Sequence, residues 1–134
     1  MDSRKLLPIC NSLLEAYKTG KLGQTVMPED SNPGFKDTEI EERLSYFTFP
    51  MALNYQRDSY KLWEAALKTF QDSETNFVFD VKEVSSRSEE QVRLALMKYK
   101  LALQPNKHVS TWRTIAKTIH ENWGSFENLI KATD

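Results

Sequence analysis

Few side chains in this sequence belong to the types that carry out reactions, and their spacing decides what they can do. The two histidines, His108 and His120, stand twelve positions apart. On one helix that is about 18 Å, too far for both imidazoles to reach one metal ion. Cys10 is the only cysteine, which excludes an internal disulfide and a cysteine-built zinc or iron–sulfur centre. It lies among leucines at helical spacing, so the expectation is a buried thiol acting as a small hydrophobe. Asp37, Asp58 and Asp80 each precede a helical pattern, and N-capping accounts for them. Glu64 flanks Trp63 beside an apolar stripe, where a solvated carboxylate outweighs a general acid. No HExxH, EF-hand, Walker A or GxGxxG pattern occurs. The residues give no catalytic group, no metal ligand set and no cofactor.

One segment does point to a ligand. Lys98, Lys100, Lys107 and His108 cluster where one helical pattern ends and another begins, with Pro105 set to start the second. A helix N-terminus with unpaired N–H groups and nearby cations suits a phosphate. Arg113 belongs to the same stretch, 93–117, which contains no carboxylate. Residues 28–42 are acidic by contrast, so a local basic face is compatible with a net charge of −1. An ordinary helix–turn–helix corner with its polar residues in water describes the segment equally well.

The elements that would position these residues are all helices. Leu6, Leu7, Cys10, Leu13, Leu14 and Tyr17 predict a helix over 4–19, with Pro8 in its first turn and Gly20 closing it. Residues 20–36 hold Gly20, Gly23, Pro28, Pro33 and Gly34 and read as a long loop. Thr38 and Glu41 are spaced as a capping box for a second helix with Ile40, Leu44, Phe47 and Met51 as its apolar stripe, ending near Pro50. Asp58 should cap a third, burying Leu62, Trp63, Ala66, Leu67 and Phe70. Between them lies the polar connector Asn54-Tyr55-Gln56-Arg57. Phe77-Val78-Phe79 could be a strand but has no partner in the sequence. Asp80 with Glu83 marks a one-turn helix, and Ser88 with Gln91 another capping box. Val92, Ala95, Leu96 and Tyr99 follow, then His108, Val109, Trp112, Ile115, Ala116, Ile119 and Trp123, with Gly124 as a stop and a last turn from Phe126 to Lys131.

The fold expected is therefore all-α, a bundle of five to six helices in one domain spanning 1–134. Its parts are the helix at 1–19, the loop at 20–36 and a core at 37–134. At 134 residues, 40% hydrophobic and 28% charged, the chain can build one core without staples, and it is not a disordered or collagen-like sequence. No apolar run approaches the ~20 residues of a membrane span, and charges occupy the N-terminal region where a signal peptide needs apolar residues. The expectation is a soluble, cytoplasmic protein with no membrane role.

The run from Ser88-Glu89-Glu90-Gln91-Val92 through Lys107-His108, Trp112, Ile115-Ala116, Ile119 and Trp123-Gly124 resembles the N-terminal helical half of the helix-hairpin-helix DNA glycosylases. That superfamily includes endonuclease III and the 8-oxoguanine and adenine glycosylases. Leu94, Leu96, Leu101 and Lys107 fall at matching places. Leu44 through Phe70 resembles the preceding helix pair, so the likeness covers roughly 40–134. In relatives the connector of that pair often carries a glutamine that enters the DNA helix. Asn54, Tyr55 or Gln56 would occupy the equivalent place. The sequence also departs from the family. It lacks the Leu-Pro-Gly-Val-Gly-like hairpin, the aspartate and lysine that go with it, and the four-cysteine cluster loop. Lys100-Leu101-Ala102 lacks the glycine usual at that corner.

The resemblance thus implies a glycosylase-like helical domain that contributes to DNA binding or base-repair-type recognition without catalysing a reaction alone. Its nucleic-acid-binding candidates are Asn54, Tyr55, Gln56, Arg57, Lys98, Lys100, Lys107, His108 and Arg113. The alternative is a protein-interaction or homodimerisation module with no nucleic-acid role. Its candidate interface residues are Trp63, Trp112, Trp123, Phe47 and Phe49, each of which also suits a core.

Overall fold

Side-chain caps set where most of these helices begin. Asp58 Oδ1 accepts the Tyr60 and Lys61 backbone N–H at 2.9 and 3.3 Å, and Asp80 does the same for Lys82 and Glu83 at 2.9 and 3.0 Å. Ser88 and Gln91 exchange side-chain-to-backbone bonds in a complete capping box. Such a cap contributes about 1 kcal/mol by satisfying N–H groups that the helix itself leaves unpaired.

The computed structural model describes residues 3–23 and 32–133. In chain order it contains α1 (Ser3–Lys18), α2 (Ile40–Met51), α3 (Ser59–Gln71), a 3₁₀ turn (Asn76–Phe79), α4 (Val81–Ser86), α5 (Glu89–Lys98), α6 (Lys107–Asn122) and α7 (Phe126–Ala132). The fold is all-α, with no strand among the described residues. Among the described residues there are seven α-helices rather than five or six, because the expected short turns after Asp80 and Ser125 both form helices in their own right. The apolar trio Phe77-Val78-Phe79 lies in the 3₁₀ turn.

The core is built on aromatic rings. Phe49 of α2 stacks on Trp112 of α6 with centroids 4.7 Å apart and planes 10° apart, and Phe126 of α7 meets Phe49 edge-on. Trp112 Nε1 donates to the Val78 carbonyl at 2.7 Å, so the indole is buried without losing its hydrogen bond. Tyr46 is fully buried among Phe35, Trp63, Phe70 and Phe79. Burial pushes its phenol up to about 12. α4 lies along α6, and α2 along α7.

Several expectations need correction. Trp63, Trp112 and Phe49 are buried and Phe47 packs against the core, so none of these four offers an interface. α2 turns Tyr46 and Phe49 inward, while Ile40 and Met51 are exposed. The Thr38–Glu41 capping box does not form. Glu39 is the N-cap of α2 without a side-chain bond, and Glu41 reaches instead to α7, accepting the Phe126 and Glu127 N–H at 3.0 and 2.8 Å. Pro8 lies in the second turn of α1 rather than its first. Asn106 holds the N-cap of α6, with Pro105 outside the helix. Gly124 closes α6 as expected, at φ +83°, its N–H on the Ile119 and His120 carbonyls.

α1 departs most from expectation. Leu7, Ile9, Leu13, Leu14 and Tyr17 are each more than half exposed, Leu6 is 43% exposed, and Cys10 is exposed rather than buried. The helix forms with the amphipathic pattern that its leucines predict, yet this face finds no cover in the bundle. Gly20 ends it at φ +73°. Of the expected 20–36 loop, positions 24–31 lie outside the described residues. Among the described residues no helix is long and apolar enough to cross a membrane.

Candidate functional site

Arg57 joins the two segments that the sequence singled out. From the α2–α3 connector its guanidinium reaches the corner between α5 and α6, donating through Nη1 to the Leu101 carbonyl at 2.7 Å and through Nη2 to the Lys100 carbonyl at 3.2 Å. Those carbonyls follow the C-terminus of α5, where a cation also offsets the helix dipole. Arg57 is half-buried, and burial lowers its pKa, but guanidinium stays charged throughout the physiological range.

Both segments carry backbone strain. Gln56 has φ +50° and Lys100 φ +61°, the two left-handed non-glycine residues described. Neither is an asparagine or aspartate, the types that tolerate this region best. Such strain persists where the surroundings over-determine it. Arg57 supplies that determination, since it follows Gln56 in the chain and bonds the Lys100 carbonyl. Ser59 Oγ donates to Asn54 Oδ1 at 2.9 Å and pins the start of the connector. Tyr55, 80% exposed, stands at its tip beside the exposed Gln56.

His108 holds the second half of the corner. Its Nδ1 accepts the Leu103 and Gln104 N–H at 3.0 and 3.3 Å, which requires the neutral ring with its proton on Nε2. Burial, then Arg57, then Lys107 lowers its pKa. Lys100 and Lys107 are exposed, with no carboxylate partner among the described residues.

The other two candidate cations are committed elsewhere. Lys98 Nζ pairs with Asp72 at 2.7 Å and Glu74 at 2.8 Å, and Tyr99 donates its hydroxyl to the same Asp72. The Lys98 bond, the Glu74 N–H and the Tyr99 hydroxyl bring Asp72 down to about 2. Arg113 lies 3.5 Å from Glu89, which Arg93 also engages together with Glu90. The carboxylate-free stretch 93–117 is therefore no continuous basic face, because acids from outside it neutralise much of it. What remains is a local end of the bundle made by Asn54, Tyr55, Gln56, Arg57, Lys100, Lys107 and His108.

A groove of about 300 Å³ opens beside it, lined among others by Arg57, Lys61, Tyr99, Lys100 and Leu103. Sequence reasoning missed Lys61. The signal was present, since Lys61 and Lys68 stand seven apart, on one face of α3, which begins just after Arg57. A larger cavity, about 610 Å³, includes Glu41, Asp80, Glu83 and Arg87 in its lining. Three of its four acids are occupied: Glu41 caps α7, Asp80 caps α4, and Glu83 pairs with Arg87 at 3.0 Å, while Glu42 completes the acidic lining. Among the described residues no group of His, Cys, Asp and Glu is arranged to hold a metal ion.

No family model, curated protein or solved structure matches this chain.

Proposed function

We propose that the chain is a glycosylase-like helical domain that binds nucleic acid through the end of the bundle built by Arg57, without catalysing a reaction by itself. The observation that carries this reading is the Arg57 bridge. It brings the 54–57 connector and the 100–108 corner, which the resemblance singles out separately, into one rigid unit. Exposed Tyr55 and Gln56 sit on that unit at a strained tip, suited to contact bases, while Lys100 and Lys107 are free to meet phosphates. Lys100 also adopts the left-handed conformation at the corner where the resembling family uses glycine, so the backbone demand is met without that residue. A titration of labelled duplex DNA across a range of salt concentrations tests it. Two to three phosphate contacts predict a log–log slope of about −2 to −3. Absence of binding at low salt removes the reading.

A second reading rests on α1. Its exposed residues repeat at seven, Leu6 with Leu13, Leu7 with Leu14 and Cys10 with Tyr17, the period of helix pairing. The occupant this favours is α1 of a second copy. An antiparallel arrangement sets Lys5 of one copy near Glu15 of the other, whereas a parallel one sets Lys5 against Lys5. Sedimentation of the wild type and a Leu7→Glu/Leu14→Glu variant decides it: a dimer that the variant abolishes supports pairing, and a wild-type monomer contradicts it.

A further inference from the structure

The groove between α3 and the α5–α6 corner has a composition that the binding end alone does not explain. Four cations, Arg57, Lys61, Lys68 and Lys100, line it against two carboxylates, Asp58 and Glu64. Both carboxylates are engaged. Asp58 caps α3, and Glu64 pairs with Lys68 at 2.8 Å. Lys61 and Lys100 have no carboxylate partner among the described residues. Arg57 spends one N–H of each terminal nitrogen on carbonyls and keeps the rest, held in a fixed position by those bonds. Between the cations the lining turns apolar, with Ala65, half-exposed Leu103 and the ring of Tyr99. Tyr99 is itself fixed by its bond to Asp72 at 2.8 Å.

We propose that this groove holds one unstacked nucleotide of a single strand. Arg57, Lys61 and Lys100 take its phosphate, and its sugar or base rests on Tyr99 and Leu103. The volume, about 300 Å³, stands at the small end of the range for ligand sites, about 300–1,000 Å³, which fits one such unit. A cationic rim around an aromatic wall is the arrangement that binds single strands with little sequence preference. Arg57, which follows Tyr55 and Gln56 in the chain, lines the groove, so a strand touching the connector tip is led toward it. This inference rests on the nucleic-acid reading and adds to it the strand form and the path.

The test is anisotropy of a short labelled oligothymidylate over a salt series, using wild type and the variants Lys61→Gln/Lys100→Gln, Lys107→Gln and Lys82→Gln. Lys82 lines the separate acidic cavity and serves as the control. Thermal unfolding checks that each variant is folded. The expected result is that loosening the grip on this one phosphate reduces the slope of log affinity against log salt by up to about 0.7. The Lys82 variant should match wild type, and thymidine monophosphate should compete better than inorganic phosphate. If the double variant keeps the wild-type slope while Lys107→Gln lowers it, the groove proposal is overturned and the nucleic-acid reading stands. If inorganic phosphate competes as well as the mononucleotide, the groove is an isolated anion site and the strand proposal is overturned. If wild type binds neither single strand nor duplex at low salt, both fail together.

Discussion

The Arg57 guanidinium donates to the Leu101 carbonyl at 2.7 Å across 44 positions of sequence, and its second terminal nitrogen reaches the Lys100 carbonyl. This contact fixes the α2–α3 connector, with left-handed Gln56, against the α5–α6 corner, with left-handed Lys100. Replacing Arg57 with Ala removes two charge-assisted bonds and leaves two carbonyls to find other partners. A loss of about 2–3 kcal/mol is expected in urea unfolding. Arg57→Lys should recover less than half of it, because an ammonium cannot reproduce the fork. A change below about 0.5 kcal/mol would show that the bridge does not hold the corner.

Glu41 caps α7 from α2, with one carboxylate oxygen on each of the Phe126 and Glu127 N–H groups. α7 is seven residues long and depends on such outside support. Glu41→Ala should cost about 1–2 kcal/mol, and amide exchange at Leu129–Lys131 should accelerate more than exchange in α6. Equal acceleration in both helices would argue against a local cap.

His108 gives the corner a pH dependence whose sign follows from its lowered pKa. The unfolded chain, titrating near 6.5, takes up this proton before the folded one does. The contribution of neutral His108 is therefore complete above that value and declines as pH falls below it through the lower folded pKa. His108→Gln should flatten the stability profile in that window. A profile in wild type that rises on acidification through the same range would contradict the assigned Nδ1 acceptor role.

Asp72 behaves in the same direction at lower pH. Held down to about 2 by Lys98, the Glu74 N–H and Tyr99, it should remain ionised where an ordinary aspartate, near 3.8, has taken its proton. Carboxyl-carbon NMR shifts read this directly, and Lys98→Met should move the Asp72 midpoint upward. An Asp72 midpoint unchanged by that substitution would mean that the pair does not persist in solution.

What the sequence made legible was local. Asp58, Asp80, Ser88–Gln91 and Gly124 each act within a few residues of themselves, and the structure places all four as their chemistry predicts. Locally, Pro8, Pro105 and Asp37 miss their expected helix positions by a few residues, but the larger failures are long-range. Thr38 and Glu41 have capping-box spacing, yet Glu41 serves α7 because two unpaired N–H groups lie within its reach 85 and 86 positions away. Periodicity placed apolar residues on one side of α1 and could not say whether anything would cover them. The bundle leaves them exposed. The candidate site shows the same division. Spacing identified the cations, but only the fold shows that Lys98 and Arg113 are paired with acids while Lys61 joins Lys100 at one groove.

The claim that the Arg57 end is the nucleic-acid face is tested most directly by backbone amide NMR shifts on titration with a short duplex carrying an abasic site. Perturbations should concentrate at residues 54–61 and 99–108, weaken as salt is added, and leave α7 and the acidic cavity unchanged. Perturbations confined to α1, or none at low salt, would contradict it.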